Sequence, residues 1–359
     1  MKHWTPARAL QLTIAIGITI AFLYLAFRRV DPREFWSAVL QASPVLVAAA
    51  CASCGAGLVV RVTRWWWMLR QTQPAVAWRN CFTPFMGCLA LNNLLPFRAG
   101  DVVRVVAFRE RLGVTSSTLL ATLAVERVLD AFCLLALFAS FLPYLSRSIL
   151  PPAGQTALVV LAAATITCGL LALFALRPLR KLLGWIATLG IVERRPFAGK
   201  TLHYIDGVFA SMQDVVGPRS LVALLFLSAA VWLFEGGIFF FVAWSLGITA
   251  PPVAAWIAMT LASLSTLIPS SPGYVGPYHY FAILGISTFG VADHHAAAFA
   301  VVSHAILYLM ITLWGGGLLI AAGGSSRLRK ASELSAGGDS PADEPIGDTT
   351  TQRSITVNG

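Results

Sequence analysis

Long apolar runs alternate with short polar segments along most of the chain. Predominantly apolar runs occupy about residues 8–27, 44–62, 117–142, 154–176, 220–247 and 296–322. A helix of about 20 apolar residues matches the hydrocarbon core of a bilayer, which is roughly 30 Å thick. The pattern therefore predicts an all-α polytopic membrane protein with six full spans.

Two further apolar stretches, 80–112 and 253–290, are interrupted near their middles by proline and glycine. Proline removes a helical hydrogen bond, and non-helical backbone at membrane depth is tolerated where protein or a cavity surrounds it. We therefore expect two broken or re-entrant helical hairpins. The expected hinges are Pro96, Gly100, Pro269, Pro272, Gly273 and Gly276.

The two interrupted stretches share a spacing. A Leu-Leu-Pro or Leu-Ile-Pro run has its proline four residues before Gly100 in the first and before Gly273 in the second. A Gly-Val pair follows in each, and thirteen residues beyond its glycine come Glu126-Arg127 in one copy and Ser303-His304 in the other. Three predicted spans separate the copies, and an odd number of crossings inverts the second copy. Inverted repeats with broken helices are how many transporters build a midplane site.

Composition and charge support a membrane location. The 359 residues are 57% hydrophobic and 12% charged, and the net charge is +10. Basic residues sit at the ends of apolar runs, so they indicate lipid head groups as partners and exclude nucleic acid. The sequence leaves the oligomeric state open.

The distribution of arginine and lysine predicts the orientation. If the N-terminus is cytoplasmic, the cytoplasmic side receives Arg61, Arg64, Arg70 and Arg79 and the basic residues of 177–219. By the positive-inside rule this places both termini in the cytoplasm, at the cytoplasmic (inner) membrane. We expect 177–219 to form amphipathic helices on that interface, Trp65–Trp67 to form part of its aromatic belt, and 324–359 to be a disordered tail after a membrane domain of residues 1–323.

Several charged and polar residues fall inside the predicted membrane segments. Glu126, Arg127 and Asp130 share a helix face near the middle of a span, where charges are costly unless they are paired or hydrated. Asp101 and Arg104 at the first break could complete a network with them. The expected intramembrane polar set is Asn92, Asn93, Asp101, Glu126, Arg127, Asp130, Glu235 and His304. Such a set is compatible with a static ion-pair clamp and with a functional site.

Arg98 and Arg104 flank the first break and are candidate ligands of a lipid phosphate. Broken helices expose backbone N–H groups, which suit anions, and guanidinium groups match phosphate geometry. We expect no metal, no cofactor and no catalytic residues. The six cysteines lie in apolar runs without metal-ligand spacing, and no nucleophile–base arrangement is evident.

Three motifs resemble a known family. Asn92 to Arg104 resembles the signature N-x-L-L-P-x-R-x-G-E/D-x-x-R, Glu126 to Asp130 resembles E-R-x-x-D, and Pro269 to Gly276 resembles P-x-x-P-G-G-x-G with Tyr274 in place of the second glycine. These are signatures of the lysylphosphatidylglycerol synthase transmembrane, or flippase-like, family. The full synthases carry a soluble aminoacyl-transferase domain, whereas a short polar tail follows residue 322 here. The resemblance therefore implies the flippase-like half alone.

The sequence is compatible with three functions. The first is binding and translocation of a phospholipid or lipid-linked anionic head group between leaflets. The second is a non-transporting scaffold or subunit of a lipid-modifying or glycolipid-synthesising system, with such an enzyme as partner. The third is an intramembrane lipid-modifying enzyme, for which no catalytic constellation is evident.

Overall fold

The computed structural model describes residues 6–95, 98–146 and 196–321, together with Gly323 and scattered positions between 156 and 181. Every regular element in these ranges is a helix. The α-helices in these ranges are α1 (Pro6–Phe27), α2 (Pro32–Leu40), α3 (Pro44–Thr72), α4 (Trp78–Leu94), α5 (Ala99–Ala107), α6 (Arg109–Leu112), α7 (Ser116–Ser146), α8 (Pro196–Val215), α9 (Pro218–Ser245), α10 (Pro252–Ser265), α11 (Pro277–Ser287) and α12 (Asp293–Ala321). The expected hinge Pro96, the tail 324–359 and most of the predicted span 154–176 lie outside the described residues.

Helices α1, α3, α7, α9 and α12 cover five of the six predicted spans. Among the described helices, α3, α9 and α12 are long and apolar enough to cross a membrane, and the α1–α2 pair, bent by 83°, is a fourth candidate. Helices α3 and α12 have 29 residues each, which is about 44 Å at 1.5 Å per residue. The all-helical membrane fold is confirmed, and the number of six crossings stays a prediction.

Both interrupted stretches break where proline and glycine cluster, and each turns back on itself. In the first, α4 ends at Leu94 and α5 packs against it. Gly100 is helical, and a methyl group there would collide with the Cys88 carbonyl, so glycine supplies room for the close approach of α5 to α4. In the second, α10 and α11 pack together, and a 3-10 turn (Pro272–Tyr274) lies between them.

Positive φ angles mark the second break. Gly273 (φ 74°) and Gly276 (φ 98°) adopt conformations that glycine reaches without steric cost. The Ser271 N–H donates to the Thr19 hydroxyl of α1 at 3.0 Å. The backbone of this break therefore relies on glycine conformations, and α1 contacts it directly.

The core is built around α3 and α9, which pack closely through small residues. The Ser53 hydroxyl donates to the Phe234 carbonyl at 2.7 Å, and Gly57 lies against the Phe234 side chain. Helices α7 and α10 pack against this pair. The charged side chains described below come from α3, α5, α7 and α9 and from Arg98, which directly precedes α5.

Helix α8 belongs to the segment that was expected to lie on the cytoplasmic interface. It packs against α7 and α3, and its Met212 and Val215 are buried. The Ser211 and Thr118 hydroxyls are 3.2 Å apart. Part of the apolar stripe of α8 therefore contacts protein.

Two residues differ from their expected interfacial positions. Arg64 and Trp65 are both 0% exposed. The Trp65 indole donates to the Thr122 hydroxyl at 3.1 Å, within the helix bundle. The expectation that Arg64 faces lipid head groups and that Trp65 joins an aromatic belt is wrong, because both find partners on α7.

Candidate functional site

A buried ion-pair network joins α3, α5 and α7. The Arg64 guanidinium lies 2.6 Å from the Asp130 carboxylate and 3.9 Å from Glu126, and it donates to the Ser228 hydroxyl of α9 at 2.9 Å. Glu126 in turn lies 3.1 Å from Arg104, which is 2% exposed. The two buried arginines thus share one carboxylate, and α5 is tied to α7 through it.

The network continues from α5 to Arg127 of α7. Asp101 lies 2.9 Å from Arg127 and 3.9 Å from Arg104. Asn92 of α4 orients Asp101, because its amide donates to the carboxylate at 2.9 Å and its carbonyl accepts from the Asp101 N–H at 3.1 Å. The first broken hairpin is therefore held by polar contacts at both of its helices.

The charges of this network balance. Three arginines, Arg64, Arg104 and Arg127, face three carboxylates, those of Asp101, Glu126 and Asp130. Burying an ion costs several kcal/mol unless a partner and hydrogen bonds compensate. Equal numbers of positive and negative side chains therefore lower the cost of burying this network. The ion-pair network can therefore fix the positions of α3, α5 and α7 relative to one another.

A second ion pair lies apart from the network. Arg61 of α3 and Glu235 of α9 are 3.0 Å apart, with side chains 18% and 16% exposed. The Arg61 guanidinium also stands 5.5 Å from the centre of the Trp232 ring. Both charged residues face a cavity.

This cavity has a volume of about 610 Å³ and is lined by residues of both broken stretches and of α3, α7, α9 and α12. Its polar lining residues include Arg61, Asn93, Arg98, Arg127, Asp130, Glu235, Thr266, Tyr274 and His304. Its apolar lining residues include Leu134, Leu135, Leu264, Leu267, Leu307 and Ile311. A cavity lined by both kinds of residue has the chemistry that an amphipathic ligand requires.

Arg98 differs from the other two arginines of the cavity wall. Arg61 and Arg127 each have a carboxylate partner, whereas no carboxylate of the described residues pairs with Arg98. Its guanidinium contacts the carbonyl and the hydroxyl of Thr266, both at 3.4 Å, and stands 5.6 Å from the centre of the Tyr274 ring. Arg98 therefore supplies the cavity with a positive charge that the described protein does not neutralise.

The backbone of Arg98 and of Tyr274 is left-handed. Their φ angles are 52° and 59°, and within the described ranges they are the non-glycine residues with positive φ. This conformation costs about 1–3 kcal/mol for such a residue and persists where the surroundings impose it. At Tyr274 it also gives a physical reason why the resembling signature has glycine at that position.

Polar contacts join each of the two breaks to α12. The His304 ring nitrogen lies 2.8 Å from the Gly273 carbonyl, and the ring stacks on Tyr278 with centroids 4.5 Å apart. The Asn93 amide of α4 donates to the Thr312 hydroxyl at 3.1 Å. Both breaks thus have polar contacts with α12.

The matched positions of the repeat occupy corresponding environments. The first residue of each pair, Glu126 and Ser303, is buried at 3% and 0% exposure. The second residue of each pair, Arg127 and His304, lines the cavity. The shared spacing therefore coincides with a shared geometry on α7 and α12.

The structure separates the two arginines that were expected to bind phosphate. Arg98 lines the cavity, whereas Arg104 is enclosed beside Glu126 and is not among the lining residues. Arg61 and Arg64 enter the site although their positions near the end of an apolar run suggested lipid anchors. Their carboxylate partners, more than 60 residues away, carry no local signal in the sequence.

Comparison with known proteins agrees with the motifs. Glycosyltransferase AglD of Haloferax volcanii is 26% identical over 353 residues, a match that takes in 88% of this chain and 55% of that protein. The chain thus spans about half the length of this curated relative. Residues 11–315 match the family described as Lysylphosphatidylglycerol synthase TM region. The chain is a membrane protein that belongs to this family, as its three motifs indicated.

Proposed function

We propose that the protein binds the anionic head group of a phospholipid or lipid-linked intermediate in the cavity between its two broken stretches and moves it between leaflets. Translocation of this kind breaks no covalent bond, so it requires no catalytic group. The proposal rests on one observation above the others, which is the position and pairing of Arg98.

Arg98 faces the cavity without a carboxylate partner among the described residues. A charged side chain within a membrane protein marks a functional site unless a partner neutralises it. A phosphodiester carries one negative charge and accepts two parallel hydrogen bonds from a guanidinium. Binding of such a group would balance the charge of the cavity wall.

The lining of the cavity supports an amphipathic ligand. A head group at Arg98 would lie close to Thr266 and Tyr274, and a hydrocarbon chain could contact the leucines of α7 and α10 that also line the cavity. A free inorganic anion would leave these apolar side chains hydrated. The mixed polar and apolar lining therefore favours a lipid over a small soluble ion.

The buried network has a supporting role in this proposal. It fixes α5 against α7 through Arg104 and Glu126, and Arg98 directly precedes α5. Arg104 therefore positions the hairpin that presents Arg98. Glu235 and His304, which also line the cavity, are the protonatable positions of the proposed path.

We also propose the finer topology: six crossings, two re-entrant hairpins that form an inverted repeat, and both termini on the cytoplasmic side of the inner membrane. Reporter fusions after Gln73, Gly113 and Gly290 would test it. Because an odd number of crossings lies between them, Gly113 and Gly290 should lie on opposite sides of the membrane. Reporters on the same side would contradict the inversion.

A second candidate function is that of a membrane subunit for a glycolipid-synthesising enzyme. The observation that favours it is the name of the relative, a glycosyltransferase of which this chain covers 55%. In this case the cavity would bind a lipid without moving it. Co-purification of an enzyme, together with binding but no leaflet exchange, would support this candidate over transport.

Leaflet exchange of labelled lipids in vesicles containing the purified protein tests the proposal. We expect exchange of an anionic lipid above that of empty vesicles, and loss of most of it in Arg98→Gln. The matched control is Arg109→Gln, because Arg109 is 57% exposed and lies on α6. No exchange across several lipid classes would refute transport, and equal exchange in Arg98→Gln and Arg109→Gln would refute the role of Arg98.

A further inference from the structure

The two broken stretches contact each other through Arg98 and Tyr274. Arg98 lies directly before α5, and Tyr274 ends the 3-10 turn before α11. The guanidinium stands 5.6 Å from the centre of the Tyr274 ring and 3.4 Å from the Thr266 hydroxyl. One side chain of the first break therefore makes its contacts with two residues of the second.

These contacts are weak ones for a guanidinium. Both hydrogen bonds to Thr266 measure 3.4 Å, whereas charge-assisted bonds between a guanidinium and an anionic oxygen are typically about 2.7–2.9 Å. The Tyr274 ring offers a cation–π contact, which is weaker than an ion pair with a phosphate in the same setting. This difference in strength is the reason to expect that an anionic oxygen at Arg98 is preferred over the ring and the Thr266 oxygens.

Both partners of this contact have an unusual backbone conformation. Arg98 and Tyr274 both hold positive φ angles, a conformation that a non-glycine residue keeps where its surroundings impose it. Here each residue is the neighbour of the other. Loss of the contact removes one of the constraints that hold both breaks in this conformation.

We propose that Arg98 exchanges the Tyr274 ring for a head-group phosphate, so that Tyr274 sets the affinity of the site and binding releases one broken stretch from the other. This rests on the proposed function, because it assumes that Arg98 receives the phosphate. It adds a positioning residue, Tyr274, which competes with the ligand. It also assigns a structural consequence to binding, since the described contact of the Arg98 side chain with Tyr274 is lost.

Two variants distinguish the effect of the aromatic ring of Tyr274 from the effect of an apolar side chain at that position. Tyr274→Leu removes the π face, whereas Tyr274→Phe keeps it. The binding probe is dihexanoyl phosphatidylglycerol, titrated calorimetrically onto the full chain in detergent. We expect Tyr274→Leu to bind about 2- to 30-fold more tightly than Tyr274→Phe, the factor that corresponds to a cation–π contact of about 0.5–2 kcal/mol.

Tyr274→Gly provides a second variant that the backbone accommodates, because glycine adopts φ near 59° without strain. It should also bind the probe more tightly than Tyr274→Phe. Equal affinities for the phenylalanine, leucine and glycine variants, or weaker binding by the leucine and glycine variants, would overturn the competition between ring and phosphate.

Arg98→Gln distinguishes this proposal from the proposed function. If wild type and Arg98→Gln bind the probe equally, the phosphate site itself is elsewhere and both proposals fail. If Arg98→Gln loses binding but the Tyr274 variants are indistinguishable, the site stands and the competition fails. Dihexanoylglycerol, which has no phosphate, is the control ligand and should show no dependence on residue 274.

Hydrogen exchange tests the structural consequence. In wild type, saturating probe should raise the exchange of the peptide covering residues 266–276, because Arg98 no longer contacts it. In Tyr274→Leu the exchange should be high before the probe is added. Protection of this peptide by the probe in wild type would overturn the proposed release.

Discussion

The buried pair between Arg104 and Glu126 should dominate the stability of the first hairpin. Its atoms are 3.1 Å apart, and the side chains are 3% and 4% exposed. At an effective dielectric constant of about 20, charges at this distance attract by about 5 kcal/mol. Removal of one partner leaves the other charge buried, and such changes cost about 3–5 kcal/mol. We therefore expect Glu126→Gln to lower the free energy of unfolding by about 3–5 kcal/mol.

A double-variant cycle tests this reasoning. Arg104→Met combined with Glu126→Gln removes one charge of each sign, so the two remaining ion pairs stay balanced. The double variant should lose less than the sum of the single losses, by about 2–3 kcal/mol. Unfolding by denaturing detergent in mixed micelles, followed by tryptophan fluorescence, measures each variant.

The control is the same substitution on an exposed pair. Glu110 lies 3.6 Å from Arg109, and its side chain is 88% exposed. Glu110→Gln should change the free energy of unfolding by less than about 1 kcal/mol. If Glu126→Gln costs no more than Glu110→Gln, or if the losses at Arg104 and Glu126 are additive, the balanced network does not stabilise the fold as argued.

Two further predictions concern α12. Gly315→Ala should lower stability by about 1–3 kcal/mol through overpacking, because a methyl group there would collide with the backbone of α4, whereas Gly316→Ala has no neighbour within 4 Å and should be tolerated. Equal thermal midpoints for these adjacent variants would contradict the close approach of α12 to α4. His304→Phe removes the partner of the Gly273 carbonyl and should cost about 1–3 kcal/mol, whereas His295→Phe near the start of α12 should cost less. A smaller loss at His304 than at His295 would show that this contact does not brace the second break.

Helix positions could be predicted from the sequence because their signal is local. Apolar runs set the location of α3, α9 and α12, and proline and glycine set the breaks between α4 and α5 and between α10 and α11. Each of these signals lies within one continuous segment of the chain. The number of membrane crossings depends on the whole chain, so these local signals do not determine it.

The partners of the charged residues could not be predicted, because they depend on contacts between distant helices. Arg98 and Arg104 are six residues apart and alike in chemistry, yet one lines the cavity and the other is enclosed beside Glu126. Arg64 follows an apolar run as a lipid anchor would, but it lies against Asp130. A count of arginine and lysine residues along the chain does not distinguish an arginine that contacts lipid head groups from one that pairs with a buried carboxylate.

The distance along the chain between Arg64 and Asp130 has a consequence for biogenesis. The two residues are 66 positions apart, so at about 5–20 residues per second Asp130 is synthesised roughly 3–13 s after its partner. During that interval α3 carries an arginine without this partner, and an unpaired charge in a membrane segment is costly. We therefore expect the arrival of α7 to stabilise α3 in the bilayer.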